Sequence, residues 1–526
     1  MALADRVVDP RRASFGYAAV LLVFAASVQP LVHVIYETLD LVPRVVPVLR
    51  QHQDPEAPPA AMDTPPRPLV VLLLDGLRLD EAERSPALSA LRDRGASAVV
   101  ELEDFPTLSR PYYHALLTGV PPRGSGVRRN RQGQRQVFDA LPDRVRRAGG
   151  TVSFVAEDND WMAVLFAAEG DGDAHGPDAL DGPLTELLAE IGRGAAPTLS
   201  VIHVLSVDGS AHDHGVDSDA HRRALALAER VTNEVVEATF GRTLLAVVSD
   251  HGHIGPGGHG GDEPEVRRVP FILVGDGVPH ARVDRALAVE ELAPTFASWM
   301  GVPPPRAAVA PPAPEVAGAF VVDPAPASRR GALLTEATSL EAKARRRRLG
   351  WLLPLVSLLV LMGLGATKRS FGGFDIGSLL APLLVFGGVL VVHSVVLGRP
   401  FTLSAMDNAT RQGIRSAVSG ALLALVAIPA AAAAARARAG GGFRDHLRRA
   451  AGAVGWASVA ATALTVAVVG GTLGPWAPTA IGVYAPILAF TGSGGAAVAA
   501  GLILIASALT RSPTEAPTPV DQSAAL

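Results

Sequence analysis

The chain has 526 residues, more than one ordinary domain holds, so at least two structural units are expected. Its formal net charge of −4 excludes a broadly basic protein, and no nucleic-acid partner is expected. Cysteine is absent, which excludes disulfides, thiolate metal sites and a cysteine nucleophile and leaves oxygen and imidazole as ligands for any metal.

Aliphatic residues are plentiful, and the mean hydropathy of +0.28 is high for a globular enzyme, which places part of the chain in lipid. In chain order, Phe15–Tyr36 is nearly uncharged and matches the roughly 20 residues that cross a bilayer. Arg6, Arg11 and Arg12 precede it, predicting a cytoplasmic N-terminus and export of the domain on its C-terminal side. An uncleaved anchor over residues 1–52 is the reading taken. A signal peptide cut near Ala25-Ala26-Ser27 would export the same domain.

Residues 53–68 form a Pro-rich linker. Over residues 69–305 the texture is that of an α/β domain. Short apolar runs at Leu69–Leu74, Thr151–Val155, Leu199–Val207, Thr243–Val248 and Val269–Val274 predict buried strands. Helical patterns at Ser85–Arg94 and Ala220–Phe240 lie between them, so the expected fold is a mainly parallel sheet with helices on both faces.

Residues 306–348 read as a linker and juxtamembrane helix ending in Arg345–Arg348, a solvated helix end. Residues 349–511 carry five further expected spans, at Leu349–Ala366, Ile376–Gly398, Ile414–Ala435, Ala450–Leu473 and Ile481–Leu509, before a polar tail at 512–526. With the α/β domain outside, Lys368-Arg369 and Arg436–Arg449 fall in the cytoplasm, in keeping with the positive-inside rule. The expected location is a multi-pass cell membrane. His393 lies within an apolar span, where a functional role and a neutral imidazole bonded between helices are both open.

Three expected strands finish in an aspartate: LVVLLLD at Asp75, IHVLSVD at Asp208 and LLAVVSD at Asp250. In an open parallel sheet, functional groups gather beyond the carboxyl ends of the strands. Asp alone is also an ordinary turn former. Imidazoles tip the balance: His212 and His214 follow Asp208, and His251, His253 and His259 follow Asp250. Carboxylates brought together repel unless something positive joins them. Divalent cations answer that need, and an Asp/His set without sulfur suits zinc or manganese.

A hydroxyl nucleophile is expected where a loop feeds a helix. DFPTLSRPYYHALLTG offers Thr107 and Ser109, with Pro111 suited to a first helical turn. On these grounds alone either residue serves, and Ser109 reads equally as a helix cap.

Taken together, these motifs resemble the alkaline phosphatase superfamily, in particular the nucleotide pyrophosphatase/phosphodiesterases and the GPI ethanolamine phosphate transferases. The resemblance spans about Leu69–Pro305, with LLLDGLR, PTLSRPYYHALLTG, VDGSAHDHG and SDHG followed by GGHGG in the family order. It implies a nucleophile nine positions before the Thr-Gly pair, which is Ser109. It also implies two divalent cations. Asp75, Ser109, Asp250 and His251 would hold one, and Asp208, His212 and His259 the other.

Asn130 matches an asparagine that contacts phosphate oxygen in the phosphodiesterases, although Ser125 stands where those relatives carry histidine. His253 replaces a common methionine and His214 is an additional imidazole; a non-ligand role is expected for both. Glu157–Phe166 resembles an Asp-x-Trp segment of the ethanolamine phosphate transferases, and Met300–Pro305 the end of their catalytic domain. The sulfatase pattern needs arginine four residues after the nucleophile, and Tyr113 occupies that position.

The resemblance thus implies a membrane-bound phosphodiesterase or phospho-group transferase acting on a phosphodiester or phospholipid, with membrane lipid as partner. The reading from another class is a membrane scaffold or transport-associated protein carrying an inactive phosphatase-like domain. The complete ligand set argues against that reading.

Overall fold

The computed structural model describes residues 9–38, 45–55, 65–104, 106–127, 130, 138–158, 165–166, 177–320, 322–340, 343, 375–392, 404, 409–472 and 481–510. Strand β1 (Leu69–Leu74) is buried along its whole length, as its uninterrupted aliphatic run requires. The other strands are β2 (Ala96–Glu101), β3 (Val152–Ala156), β4 (Leu199–Val204), β5 (Leu244–Val248), β6 (Arg268–Val274), β7 (Ala281–Arg282) and β8 (Leu287–Ala288). They form one sheet in the order β3-β4-β1-β5-β6-β2-β7, with β8 also on β2.

The pairs β3–β4, β4–β1 and β1–β5 are parallel. Strand β6 runs antiparallel to both β5 and β2. A parallel return from β5 would need a long crossover. Instead residues 249–267 arch over one sheet edge, with only the short helix Pro264–Arg267 among them, and re-enter as the antiparallel neighbour. That arch carries His251, His253 and His259, so all three stay at the edge where β1 and β5 end.

Side chains of β1 alternate between two cores. Val71 and Leu73 pack with Tyr112, Tyr113, Leu116, Phe271 and Phe296 on one face. Val70, Leu72 and Leu74 pack with Leu184, Ile191, Val231 and Val235 on the other. Each fully buried aliphatic side chain contributes roughly 1.5–3 kcal/mol, so this strand anchors both layers. Helix Asp219–Thr239 lies where the pattern predicts it. The expected helix Ser85–Arg94 is Pro86–Arg92, which Ser85 caps and Pro86 begins, and a further short helix, Leu79–Arg84, precedes it.

Helices Pro10–Thr38, Ile376–Val391, Ala409–Ala439, Phe443–Thr472 and Ile481–Leu509 cover all or part of the expected spans. Ala18, Leu21, Val385, Ile428, Val454 and Leu504 form their shared core. Among the described residues, two segments are long and apolar enough to cross a membrane, Ala417–Ala439 and Gly492–Leu509. The expected span Leu349–Ala366, the Arg345–Arg348 run and His393 lie outside the described residues.

Candidate metal centre

Asp75 follows β1 directly, and Asp250 follows β5 after Ser249. Because these strands are paired in parallel, both carboxylates reach the same edge. Asp208 departs from expectation. Strand β4 stops at Val204, and Asp208 sits in the first turn of helix Ser206–His214. Glu157 terminates the strand by accepting hydrogen bonds from the Leu205 and Ser206 N–H groups and from the Ser206 hydroxyl. On this helix the Asp-x-x-x-His spacing becomes an i, i+4 pair, which puts both side chains on one face. The Asp208 Oδ1 and His212 Nε2 atoms are 3.3 Å apart.

Gly76 lets β1 meet that helix. It has φ +74°, and a Cβ there would lie 2.7 Å from His253 Nε2 and 2.9 Å from the Asp208 Cα. Any other residue would push the two halves of the site apart.

Three overlapping groups of ligand atoms each fall within 4.8 Å: Asp75, Asp250 and His251; Asp208, His212 and His259; and Asp208, His251 and His253. In the first, His251 Nε2 lies 3.5 Å from Asp75 Oδ1 and 3.2 Å from Asp250 Oδ2. Both carboxylate atoms are buried and lack any hydrogen-bond partner. Orphaned buried oxygens turned toward one imidazole nitrogen suit a bound cation. In the second, His259 Nε2 lies 3.6 Å from Asp208 Oδ1. His259 Nδ1 is 2.7 Å from the Thr107 carbonyl, so Nδ1 carries the proton and Nε2 offers its lone pair to the site.

The third group differs. The Gly258 N–H donates to His253 Nδ1 at 3.1 Å, so His253 carries its proton on Nε2 and donates it to Asp208 Oδ1 at 2.9 Å. His253 therefore orients Asp208. His214 is exposed and belongs to none of the three groups.

The charges show the same strain. Burial and the negative Asp75 and Asp208 push the Asp250 carboxyl well above the usual carboxylate range. Burial works against ionisation of Asp208 too, but His212 and His253 outweigh it and hold that carboxyl well below the usual range. Burial, reinforced by His259, keeps His251 neutral far below the ordinary histidine value. A neutral imidazole is the form that binds metal.

Ser109 is the first residue of helix Ser109–Thr118, and Leu108 occupies the cap position. Its Oγ lies 3.1 Å from His251 Nε2 and 3.4 Å from Asn130 Nδ2, so it faces the ligand atoms instead of capping. Asn130 is held in turn by the Arg110 N–H, which donates to its Oδ1 at 3.1 Å. Thr107 points elsewhere: its hydroxyl donates to the Gly261 carbonyl at 2.8 Å and accepts from the Gly260 N–H at 3.0 Å. Ser125 accepts from the Val127 N–H at 3.1 Å, a local turn contact.

The structure also reveals partners that sequence reasoning passed over. Tyr113 donates its phenolic proton to Asp75 Oδ2, and His203 Nε2 lies 3.0 Å from the same oxygen. These two occupy one Asp75 oxygen and leave the other facing His251. His221 bridges Glu81 and Ser210, fixing helix Ser206–His214 from behind. Of Glu157–Phe166, only Glu157, Asp158, Leu165 and Phe166 are among the described residues.

No family model matches the chain. It is 28% identical over 215 residues to the catalytic subunit of GPI ethanolamine phosphate transferase 3 of Mus musculus, covering 38% of this chain and 19% of that protein. It is 25% identical over 265 residues to the catalytic subunit of the human GPI ethanolamine phosphate transferase 2, covering 46% of this chain and 27% of that protein. The chain thus spans about a fifth to a quarter of the length of these curated relatives. Among solved structures, murine ectonucleotide pyrophosphatase/phosphodiesterase 5 overlaps 43% of this chain and 92% of its own, with TM-score 0.36 and 12% identity. A variant of the alkaline phosphatase PafA overlaps 48% and 99%, with TM-score 0.38 and 11% identity. The motifs and these sequence relatives agree, and the chain resembles the alkaline phosphatase superfamily through the GPI ethanolamine phosphate transferases.

Proposed function

We propose that this chain is a membrane-bound, two-metal enzyme that transfers a phospho-group, with Ser109 as nucleophile. The observation that carries the reading is the convergence of Ser109 Oγ with His251 Nε2, beside the partnerless oxygens of Asp75 and Asp250. Asp75, Ser109, Asp250 and His251 would hold one divalent cation, and Asp208, His212 and His259 the other, zinc or manganese by the character of the donors. Such ions supply charge neutralisation at a phosphoryl group and lower the pKa of a coordinated hydroxyl.

The protein's own residues do the rest. Ser109 Oγ, at the positive end of its helix, attacks phosphorus; the departing alcohol oxygen takes up a proton, leaving a phosphodiester on the serine. Asn130, within reach of Ser109 Oγ, offers its amide N–H to a phosphoryl oxygen. A second alcohol, or water, then attacks phosphorus and releases the serine hydroxyl. Transfer to an alcohol is preferred over hydrolysis because the curated relatives are named as phosphoethanolamine transferases.

The outward faces of the C-terminal helices carry exposed Leu383, Leu422, Val426, Leu502 and Leu509, which suits a lipid surround. A phospholipid donor and a multi-pass membrane location, with the α/β domain outside the cytoplasm, complete the proposal. The test is the purified full chain in detergent, supplied with phosphatidylethanolamine and alcohol acceptors. Phospho-group transfer that disappears in Ser109→Ala supports it. Turnover by Ser109→Ala at the wild-type rate overturns it.

A further inference from the structure

Ser404 stands apart from the proposed chemistry, yet it reaches into the arch that carries it. It lies between helix Ile376–Val391 and helix Ala409–Ala439, in the C-terminal helical region, and is 1% exposed. Its Oγ accepts from the Gly261 N–H at 2.8 Å and donates to Glu263 Oε2 at 2.8 Å. Gly261 is two residues beyond His259, and its carbonyl is the group that Thr107 binds. The segment 259–263 is therefore gripped from both sides, by the nucleophile segment and by a side chain from among the C-terminal helices. The fit is close: a Cβ on Gly261 would lie 2.6 Å from Ser404 Oγ and 2.2 Å from Glu263 Oε2.

We infer that Ser404 is a positioning residue through which the C-terminal helical region sets the place of His259. The inference rests on the reading that Asp208, His212 and His259 hold a cation. An N–H and a carboxylate turned inward at a buried point each need a partner, and one hydroxyl satisfies both. Without it, Gly261 loses one of its two grips, and the arch that carries His259 is held less firmly. The connection bearing Ser404 must lie on the same membrane side as the α/β domain, the side that the positive-inside pattern assigns to it. At the opposite end of helix Ile376–Val391, Asp375 meets His446 Nδ1 at 2.6 Å, tying that end to the start of helix Phe443–Thr472.

The test compares the wild-type full chain with Ser404→Ala, both in detergent and stripped of metal. Two readouts need no turnover: zinc titration by competition with a chromophoric chelator, and hydrogen exchange of the peptide covering 257–266. Loss of a group that orients a metal-binding histidine is expected to weaken one of the two zinc steps about tenfold and leave the other unchanged. Exchange at Gly260–Asp262 is expected to speed up in the metal-free protein. An unchanged titration, or equal weakening of both steps, overturns the positioning role whatever the exchange shows. Because neither readout needs turnover, full activity in Ser109→Ala would defeat the transferase reading while leaving this comparison standing.

Discussion

The imidazole of His259 and the main-chain carbonyl of Thr107 are 2.7 Å apart, and that contact fixes which nitrogen of His259 looks into the site. Thr107 adds two hydrogen bonds through its own hydroxyl, which donates to the Gly261 carbonyl and accepts from the Gly260 N–H. Two hydroxyls only two residues apart therefore have separate tasks: Thr107 holds the arch, and Ser109 faces the ligand atoms.

That division predicts opposite outcomes for two substitutions. Thr107→Val leaves the Gly260 N–H and Gly261 carbonyl short of a buried partner, at a cost of about 1–3 kcal/mol in stability. Its turnover should persist. Ser109→Ala should leave stability within about 0.5 kcal/mol and lower kcat by three orders of magnitude or more. Urea unfolding and transfer assays on both variants decide the matter, and the reverse pattern would move the nucleophile to Thr107.

Metal removal should weaken the fold as well as stop the chemistry. Asp75 and Asp250 sit close in a buried site, so without a cation their mutual repulsion falls on the native state alone. A hundredfold excess of zinc over its Kd stabilises by about 2.7 kcal/mol per site, which is several degrees in Tm for a domain of this size. Thermal scans with and without chelator measure it; coincident curves would deny the site its metal.

Cation binding should also release protons. The Asp250 carboxyl is held well above its ordinary range by burial and by the charges of Asp75 and Asp208, and it must ionise to act as a ligand. Binding is therefore strong above that raised pKa and fades as pH falls through it. Calorimetric zinc titrations in buffers of different ionisation enthalpy report the proton count. Asp250→Asn should lower that count and weaken the first site.

His114 makes a separate pH prediction. It is fully buried, and burial pushes its pKa down to about 3. In the unfolded chain the ring takes a proton below about 6.5. The unfolded state therefore binds the extra proton between those limits. The His114 contribution to stability is intact above pH 6.5 and falls by up to about 1.4 kcal/mol per unit as pH drops toward 3. His114→Gln should show a shallower decline in unfolding free energy between pH 6 and pH 4. Parallel curves for the two proteins would refute the assignment.

Asn130→Ala removes the amide closest to Ser109 Oγ, which lies 3.4 Å away. Loss of one donor to a phosphoryl oxygen is expected to lower kcat by about a hundredfold, with little change in zinc content. Unaltered kcat would confine Asn130 to its bond with the Arg110 N–H.

Much of this architecture was legible in advance because β1, β4 and β5 are written as continuous aliphatic runs. The end of β4 was not. Leu199–Val207 has no polar residue strong enough to mark Val204 as the boundary, and the stop comes from Glu157, about fifty positions earlier in the chain. Strand β2 lacked both a clear alternation and a sustained apolar run, and only its pairing with β6 makes it a strand. The candidate ligands showed themselves through clustered Asp and His, and the family motifs set His212 and His259 apart from His253, but nothing in the sequence placed His203 beside Asp75 or gave His253 its bond to Asp208. Ser404 left no sequence signal at all, being 143 positions from the glycine it binds.

Asp75 and Asp250 leave two hydrogen-bonded neighbouring strands, whose separation is fixed at about 4.8 Å by peptide geometry. The gauge of the site is thus inherited from the main chain and does not depend on how side chains happen to settle. Descendants of this fold can exchange or lengthen their surface loops, and so change what they accept, without respacing the two acids. Altering that gauge would require rebuilding the middle of the sheet.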